Sequence, residues 1–202
     1  ETQYKVEKEY YQNPENWVVN EPKMFLMDLY PEILKRAYKD KIGLAAIINK
    51  NLKEKEIIFY FKDPQKQAIA ERHNWAGKIP NSKELKDLFE TNEPVDYLYI
   101  NSNSYSGNKS SINITEDFDY QVTADPNANS LKAKLKITRI HAGSNLWPDG
   151  KNTTWLGIYV PEGADLLSIQ NNGQNILKDI QIGQEAQKTF FGYKSVIEPG
   201  QA

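Results

Sequence analysis

The side chains that could support acid–base or metal chemistry are few and far apart in this sequence. The two histidines, His73 and His141, lie in different predicted halves of the chain, and neither has a second ligand at a spacing such as H-x-x-x-H. We interpret both as ordinary surface or loop histidines. Cysteine is absent, which excludes disulfides, thiolate nucleophiles and cysteine-based metal sites.

One acidic cluster, Glu116, Asp117 and Asp119, has residue types that could act as paired acid and base or bind Ca²⁺. Asp117 and Asp119 alternate with Phe118 and Tyr120, however. In a strand this alternation places the two aspartates on the face opposite the aromatic side chains. The pattern therefore favours a solvated strand face over a catalytic pair.

Motifs for nucleophilic or nucleotide chemistry are missing. No G-x-S-x-G elbow, Walker loop or G-x-G-x-x-G occurs. The nearest stretch is SGNKS, residues 106–110, which lacks the preceding glycine of a phosphate loop. Lys109 in this glycine-containing turn could contact an anion, but a plain turn is the favoured interpretation. We predict no catalytic site, no metal and no cofactor.

Aromatic side chains are the remaining candidates for binding. Trp147 stands in a loop rich in Gly, Asn and Pro (AGSNLWPDG), and Trp155 begins an apolar strand pattern. Exposed aromatic rings can stack on the apolar faces of sugars, although Trp and Tyr more often serve a core or an interface. We name Trp147, Trp155 and Lys109 as candidate contacts with a ligand or partner. Trp17 and Trp75 are the other tryptophans.

Composition indicates a folded domain and argues against nucleic acid. The chain has 202 residues, 39% hydrophobic and 26% charged, with a formal net charge of -2. Near-neutral charge gives no electrostatic reason for binding DNA, RNA or an anionic membrane. Only Arg36, Arg72 and Arg139 are arginines, the residue best suited to phosphate. No apolar run approaches the roughly 20 residues that span a bilayer.

The first half has helical periodicity and start signals. Residues 3–10 predict a short strand or an entry segment. The sequence then predicts a helix that begins at Asn20-Glu21-Pro22 and is broken or kinked at Pro31, and a second helix over residues 42–53. Its inward positions would be Leu44, Ile47, Ile48 and Leu52.

Further helices are predicted over residues 64–73, capped by Asp63, and after Asn81, where N-S-K-E has capping-box spacing. Two apolar runs, residues 56–61 and 95–101, predict buried strands on either side of these helices. Strand, helices and strand would form a crossover unit.

The second half has strand periodicity. After a polar loop over residues 101–111, the expected hinge, apolar residues alternate through residues 112–122 and 131–137. Further strands are predicted at residues 155–160, 166–170, 176–182 and 189–197. Short strands at this spacing favour an antiparallel β-sandwich, immunoglobulin-like in general shape. The predicted class is α+β, with a helical and mixed α/β subdomain (1–105) before a sandwich subdomain (106–202).

Four stretches together resemble a bacterial family known as domain of unknown function 4012. They come in family order: KEKEIIFYFKDPQKQAIAERHNWAG (53–77), DYLYINSNSYSGNKSSINITEDFDYQV (96–122), WLGIYVPEGADLLSI (155–169) and KTFFGYKSVIEPG (188–200). Residues 20–50 resemble the helical lead-in more loosely.

The resemblance implies large envelope proteins with an N-terminal membrane anchor and an extracytoplasmic region, of which this chain would be the later part. The family has no assigned activity, so it implies no catalytic residues. Similar sequences continue past the equivalent of Pro199-Gly200 with another strand, so a sheet edge here would be open to pairing with another chain.

We therefore expect a non-enzymatic, extracytoplasmic module of a bacterial cell envelope, structural or interacting with proteins or glycans. Its partners would be other envelope proteins or a cell-surface glycan, with membrane contact only through an upstream anchor, and with self-association through an open sheet edge. Two alternatives stay open. One is a carbohydrate-binding module that uses exposed aromatics. The other is an accessory part of an envelope-assembly enzyme whose active site lies upstream.

Overall fold

The computed structural model describes residues 2–15, 24–125, 127 and 130–201. It is a mixed α+β structure, with helices towards the N-terminus and antiparallel sheets after them, as predicted. The helices are α1 Thr2–Gln12, α2 Met24–Lys39, α3 Lys41–Lys53, α4 Pro64–Arg72 and α5 Ser82–Leu88. The strands are β1 Tyr99–Ser104, β2 Ile114–Asp125, β3 Ser130–His141, β4 Asn152–Pro161, β5 Gln170–Asn171, β6 Gln174–Asn175, β7 Gln181–Glu185 and β8 Lys188–Ile197.

The chain divides into two compact units. The first combines Glu1–Val19 with Pro80–Ala202, and the second is the intervening Asn20–Ile79. The boundary expected after residue 105 falls inside the first unit, between β1 and β2. The described helices contain no segment long and apolar enough to cross a membrane.

Polar caps set the starts of α4 and α5 where the sequence predicted them. The Asp63 carboxylate accepts from the N–H of Gln65 at 2.9 Å, and Pro64 occupies the first turn, where no N–H is needed. Asn81 and Glu84 form a capping box, in which each side chain accepts from the other residue's backbone N–H at 2.9 Å.

The α2 and α3 helices also form, but with less burial than their patterns predicted. The expected helix start at residues 20–22 lies outside the described residues. Pro31 lies inside α2, which continues to Lys39 instead of ending there. Of the four inward positions expected in α3, Leu52 is buried, whereas the other three are exposed: Leu44 36%, Ile47 59% and Ile48 37%.

Residues 3–10 form part of α1, so the expectation of a strand there is wrong. The strand predicted over residues 56–61 is also wrong, because residues 58–61 are exposed and belong to no strand. The Phe59 N–H donates to the Trp75 carbonyl and the Phe61 N–H to the Gln67 side chain instead. The predicted crossover unit is therefore not formed, and β1 pairs antiparallel with β4.

Four strands form the main sheet of the first unit, in the order β1-β4-β8-β7, with every pair antiparallel. A second, two-stranded sheet is the β2–β3 hairpin, whose register pairs Ile114 with His141 and Asp125 with Ser130. The strands predicted over residues 166–170 and 176–182 are largely wrong. Only short β5, β6 and β7 and a 3-10 turn at Leu177–Asp179 occur there.

A polar contact joins the hairpin to the four-stranded sheet. The Arg139 guanidinium on β3 donates to Ser195 Oγ on β8 at 2.8 Å and to Asn152 Oδ1 on β4 at 3.0 Å. It also donates to Thr154 Oγ1 on β4 at 3.2 Å. Odd and even positions of β4 alternate between the two faces, so Asn152 and Thr154 define the face that meets the hairpin. Trp155, Gly157 and Tyr159 lie on the other face.

Candidate functional site

The face of the four-stranded sheet opposite Arg139 collects aromatic, glycine and amide residues. Residues that pair across an antiparallel ladder share a face, so the register identifies its members. We call this surface the aromatic face; it comprises Tyr99, Asn101 and Asn103 on β1, Trp155, Gly157 and Tyr159 on β4, Phe190, Gly192 and Lys194 on β8, and Gln181 and Gly183 on β7.

Trp155 lies across two glycines on neighbouring strands. Gly157 and Gly192 are register partners, and both are buried. A Cβ built on Gly157 would come 2.5 Å from Cη2 of Trp155, and one on Gly192 would come 2.7 Å from its Cζ2. The indole therefore occupies the space that two side chains would otherwise fill. Trp155 itself is half-buried, so its accessible part lies away from the glycines.

Other rings continue the face beside Trp155. Its ring centroid lies 6.0 Å from that of Phe190, in an edge arrangement. Phe190 and Tyr159 are 5.7 Å apart, as are Tyr159 and Tyr99. Such spacings are those of favourable aromatic pairs. Tyr99 is 45% exposed, so the accessible surface includes aromatic area at two places on the face.

A hydrogen bond fixes Tyr159 at the centre of this row. Its hydroxyl donates to Glu185 Oε2 at 2.7 Å, and Asn101 also bonds to it. Burial and the Glu185 carboxylate raise the pKa of Tyr159 to about 12. The phenol is therefore neutral under physiological conditions and acts as a positioning group for the face.

Polar side chains flank the indole. Asn103 on β1 and Lys194 on β8 are the register partners of Trp155, one on each side, and both are exposed. Gln181 on β7 is the partner of Gly192 and is also exposed. An amide, an ammonium and a second amide thus surround an aromatic platform. This is the composition of a site that combines ring stacking with a few hydrogen bonds.

Lys188 closes the other end of the face and is fully buried. Its ammonium donates to the Pro80 carbonyl at 2.6 Å and lies 4.7 Å from the centroid of the Tyr97 ring. Burial lowers the pKa of Lys188, against the opposing effect of the Glu162 and Glu84 carboxylates. Burial of the Tyr97 phenol, together with the nearby Tyr99, raises the pKa of Tyr97. This lysine holds residues 80–97 to the sheet and has no access to a ligand.

The structure places the Lys109 backbone beside the loop that carries Trp147, whereas Trp155 is on the sheet. The Lys109 N–H donates to the Pro148 carbonyl at 2.7 Å, one residue after Trp147. The Trp147–Pro148 peptide bond is cis. Trp147 is 43% exposed and its neighbour Leu146 is 66% exposed. The loop over residues 142–151 therefore presents a second aromatic contact surface.

The buried Asp149 side chain stabilises the 142–151 loop by accepting several hydrogen bonds. It is 5% exposed, and its carboxylate accepts from Asn113 Nδ2 at 2.6 Å, from the Ser144 N–H at 3.0 Å and from the Tyr4 hydroxyl on α1 at 3.1 Å. A buried carboxylate is tolerated because these donors replace water.

His141 is fully buried, so its interpretation as a surface or loop histidine is wrong. Its Nδ1 accepts from the Gly143 N–H at 3.0 Å, and Nε2 lies 2.9 Å from the Gly150 carbonyl. This pattern requires the neutral tautomer with the proton on Nε2. Both ring nitrogens serve the loop backbone, which leaves none for a metal or for proton transfer. His73 is exposed and stacks on Trp75, with centroids 4.8 Å apart.

The acidic cluster separates in the way that strand alternation requires. Asp117 and Asp119 are exposed, whereas Glu116 accepts from Arg139 Nε at 2.8 Å. Ser102 on β1 donates to the same carboxylate oxygen at 3.3 Å. Within the described ranges, no group of three or more His, Asp or Glu side chains could hold a metal ion.

Sequence reasoning selected Trp155 but missed what makes it a platform. The signal was available: W-x-G in β4 and F-x-G in β8 place glycines on the same strand face as the aromatic residues. Only the register shows that Gly157 and Gly192 are opposite each other. Trp17 lies outside the described residues.

No protein-family model matches the sequence, and neither a curated protein nor a solved structure matches it. The resemblance to domain of unknown function 4012 stays a prediction.

Proposed function

We propose that this chain is a non-catalytic binding module of a bacterial cell envelope, and that it binds carbohydrate on the aromatic face. The observation that carries the proposal is the position of the Trp155 indole, laid across Gly157 and Gly192 with its accessible side turned away from them. A ring held flat against a sheet loses little conformational entropy when a ligand stacks on it.

Sugar is the ligand class that fits this surface best. The apolar C–H face of a pyranose ring stacks on an aromatic ring, and its hydroxyl groups need donors and acceptors at the rim. Asn103 and Lys194 flank Trp155, and Gln181 lies beyond Gly192. The absence of a dense positive charge argues for a neutral or amino sugar over a polyanion, since the chain carries a net charge of -2.

The proposed architecture is a β-sandwich, immunoglobulin-like in general shape, in which the β2–β3 hairpin covers one face of the four-stranded sheet. The Arg139 bonds to Asn152 and Ser195 support this arrangement. The opposite face would then be the outer surface available to a glycan. The proposal also includes an extracytoplasmic location and contact with the membrane only through an upstream anchor. Both rest on the resemblance to domain of unknown function 4012.

The test is a titration of the purified chain with cell-wall polysaccharides and their fragments, followed by tryptophan fluorescence and by calorimetry. We expect saturable binding that Trp155→Leu weakens at least tenfold. Trp155→Phe keeps an aromatic ring at the same position and should retain part of the affinity. Circular dichroism verifies that each variant stays folded.

Trp147→Ala is the matched control, because Trp147 is 43% exposed but lies in the 142–151 loop. It should leave binding unchanged. If Trp147→Ala abolishes binding and Trp155→Leu does not, the loop is the site and the proposal for the sheet face is wrong. No binding across a broad panel of glycans would also reject it.

A further inference from the structure

Residues 58–61 of the second unit use only one edge of their backbone. Phe59 donates to the Trp75 carbonyl at 2.8 Å and Phe61 to Gln67 Oε1 at 2.9 Å, both in the same unit, whereas Glu56 and Ile57 both donate to the Asn51 carbonyl where the chain bends after α3. Ile58 and Tyr60 make no backbone hydrogen bond to any described residue. This alternation is that of an extended chain with one edge satisfied and the other open.

The open edge carries large apolar side chains. Ile58 is 57% exposed and Tyr60 is 80% exposed, while Phe59 and Phe61 are each 37% exposed. Unpaired N–H and C=O groups beside exposed apolar side chains form a template for another strand. A Pro, an inward-pointing charge or a covering loop would normally block such a template, and the run IIFYF contains neither proline nor charge.

We propose that this edge pairs with the same edge of a second copy of the chain. The two segments would run antiparallel about a two-fold axis at Phe59. Ile58 of one copy then faces Tyr60 of the other, and the axis relates this pair to a second one. Each facing pair exchanges two N–H···O bonds, which gives four new backbone hydrogen bonds. Phe59, whose N–H points inward, occupies the position between the bonded pairs.

The opposite charges at the two ends of the apolar run favour a second copy as the partner and favour the register centred on Phe59. With the axis at Phe59, Glu56 at the start of the run comes beside Lys62 at the end of the run in the second copy, and symmetry repeats the pair. Both side chains are exposed. Opposite charges facing each other across an antiparallel pair are stabilising, and like charges are not. An axis at Tyr60 would instead place Lys62 against Ile58 and leave Glu56 without a partner. The interface is isologous and closes as a dimer.

The test measures the oligomeric state of the full chain by sedimentation equilibrium over a range of concentrations. We expect a reversible dimer for the wild type and at least a tenfold weaker one for Tyr60→Pro. Proline removes an N–H that has no partner among the described residues, and an outward edge position tolerates it. Circular dichroism and thermal melting of Tyr60→Pro should match the wild type.

Variants that change the charge at positions 56 and 62 test the dimer without the proline introduced by Tyr60→Pro. Lys62→Glu places two glutamates opposite each other twice and should weaken the dimer about tenfold at low salt. The double variant Glu56→Lys/Lys62→Glu restores opposite charges and should restore dimerisation. A wild type that stays monomeric at about 100 µM, a dimer that survives Tyr60→Pro, or a double variant as weak as Lys62→Glu would each overturn the proposal.

Discussion

Glu116 on β2 and Arg139 on β3 are register partners, and the arginine Nε donates to Glu116 Oε1 at 2.8 Å. The side chain of Arg139 is 8% exposed and that of Glu116 is 22% exposed. The rest of the guanidinium bonds to β4 and β8. One ion pair therefore orients the arginine within the hairpin and leaves its remaining donors for the other sheet.

Arg139→Met should destabilise the first unit by about 3 kcal/mol, because it leaves the Glu116 carboxylate without its opposite charge and Asn152 with one donor fewer in a poorly solvated place. Urea denaturation followed by circular dichroism measures this loss. Adding Glu116→Gln removes the unpaired charge, so the double variant should recover part of the stability. A single variant as stable as the wild type would show that the bridge contributes nothing.

Asp149→Ala should loosen the 142–151 loop and lower stability by about 2–3 kcal/mol, since several donors lose a buried acceptor at once. Tyr4→Phe removes only one of these bonds and should cost about 1 kcal/mol. Thermal melting gives the stabilities, and faster amide exchange at Ser144 reports the loop. Equal losses in the two variants would contradict the central role of the carboxylate.

Gly192→Ala tests the platform without changing any aromatic residue. The added methyl group would lie 2.7 Å from Cζ2 of Trp155 and 3.0 Å from its Nε1, so the indole must move off the sheet. We expect a shifted tryptophan emission and glycan affinity reduced about tenfold, a loss of about 1.4 kcal/mol. Unchanged emission would mean that the ring does not rest on Gly192.

Alkaline pH should weaken the fold through Tyr159. Its folded-state pKa is raised from 10.0 to about 12, so its stabilising effect is complete below pH 10 and is lost as the pH rises towards 12. Tyr159→Phe should show a smaller loss of stability over this range. Tyr105→Phe replaces a tyrosine that is 65% exposed and should keep the wild-type dependence. Identical pH profiles for Tyr159→Phe and the wild type would contradict the assignment.

Local signals in the sequence predicted local structure well. Asp63 and Asn81 marked two helix starts correctly, because a capping side chain needs only backbone N–H groups two or three residues away. The alternation around Phe118 and Leu135 likewise identified β2 and β3. These patterns depend on neighbours along the chain, which are present whatever the tertiary fold.

Predictions that needed a distant partner failed more often. The run 56–61 has strand composition, but a strand also requires another strand beside it, and the described residues supply none. His141 gave no sign of burial, because its acceptor, the Gly150 carbonyl, comes beside the imidazole ring only when the loop closes. The pairing of Gly157 with Gly192 depends on register, which a single sequence does not specify.

The first unit combines two segments of the chain that lie on either side of the second unit, so its folding has to wait for the later of these segments. Tyr4 bonds to Asp149, a partner 145 positions later. On the ribosome, α1 emerges before the second unit, but its contact with Asp149 cannot form until residue 149 has emerged, whereas the second unit is complete once residue 79 has left the exit tunnel. During synthesis from the N- to the C-terminus, the second unit can therefore fold before the first unit is complete.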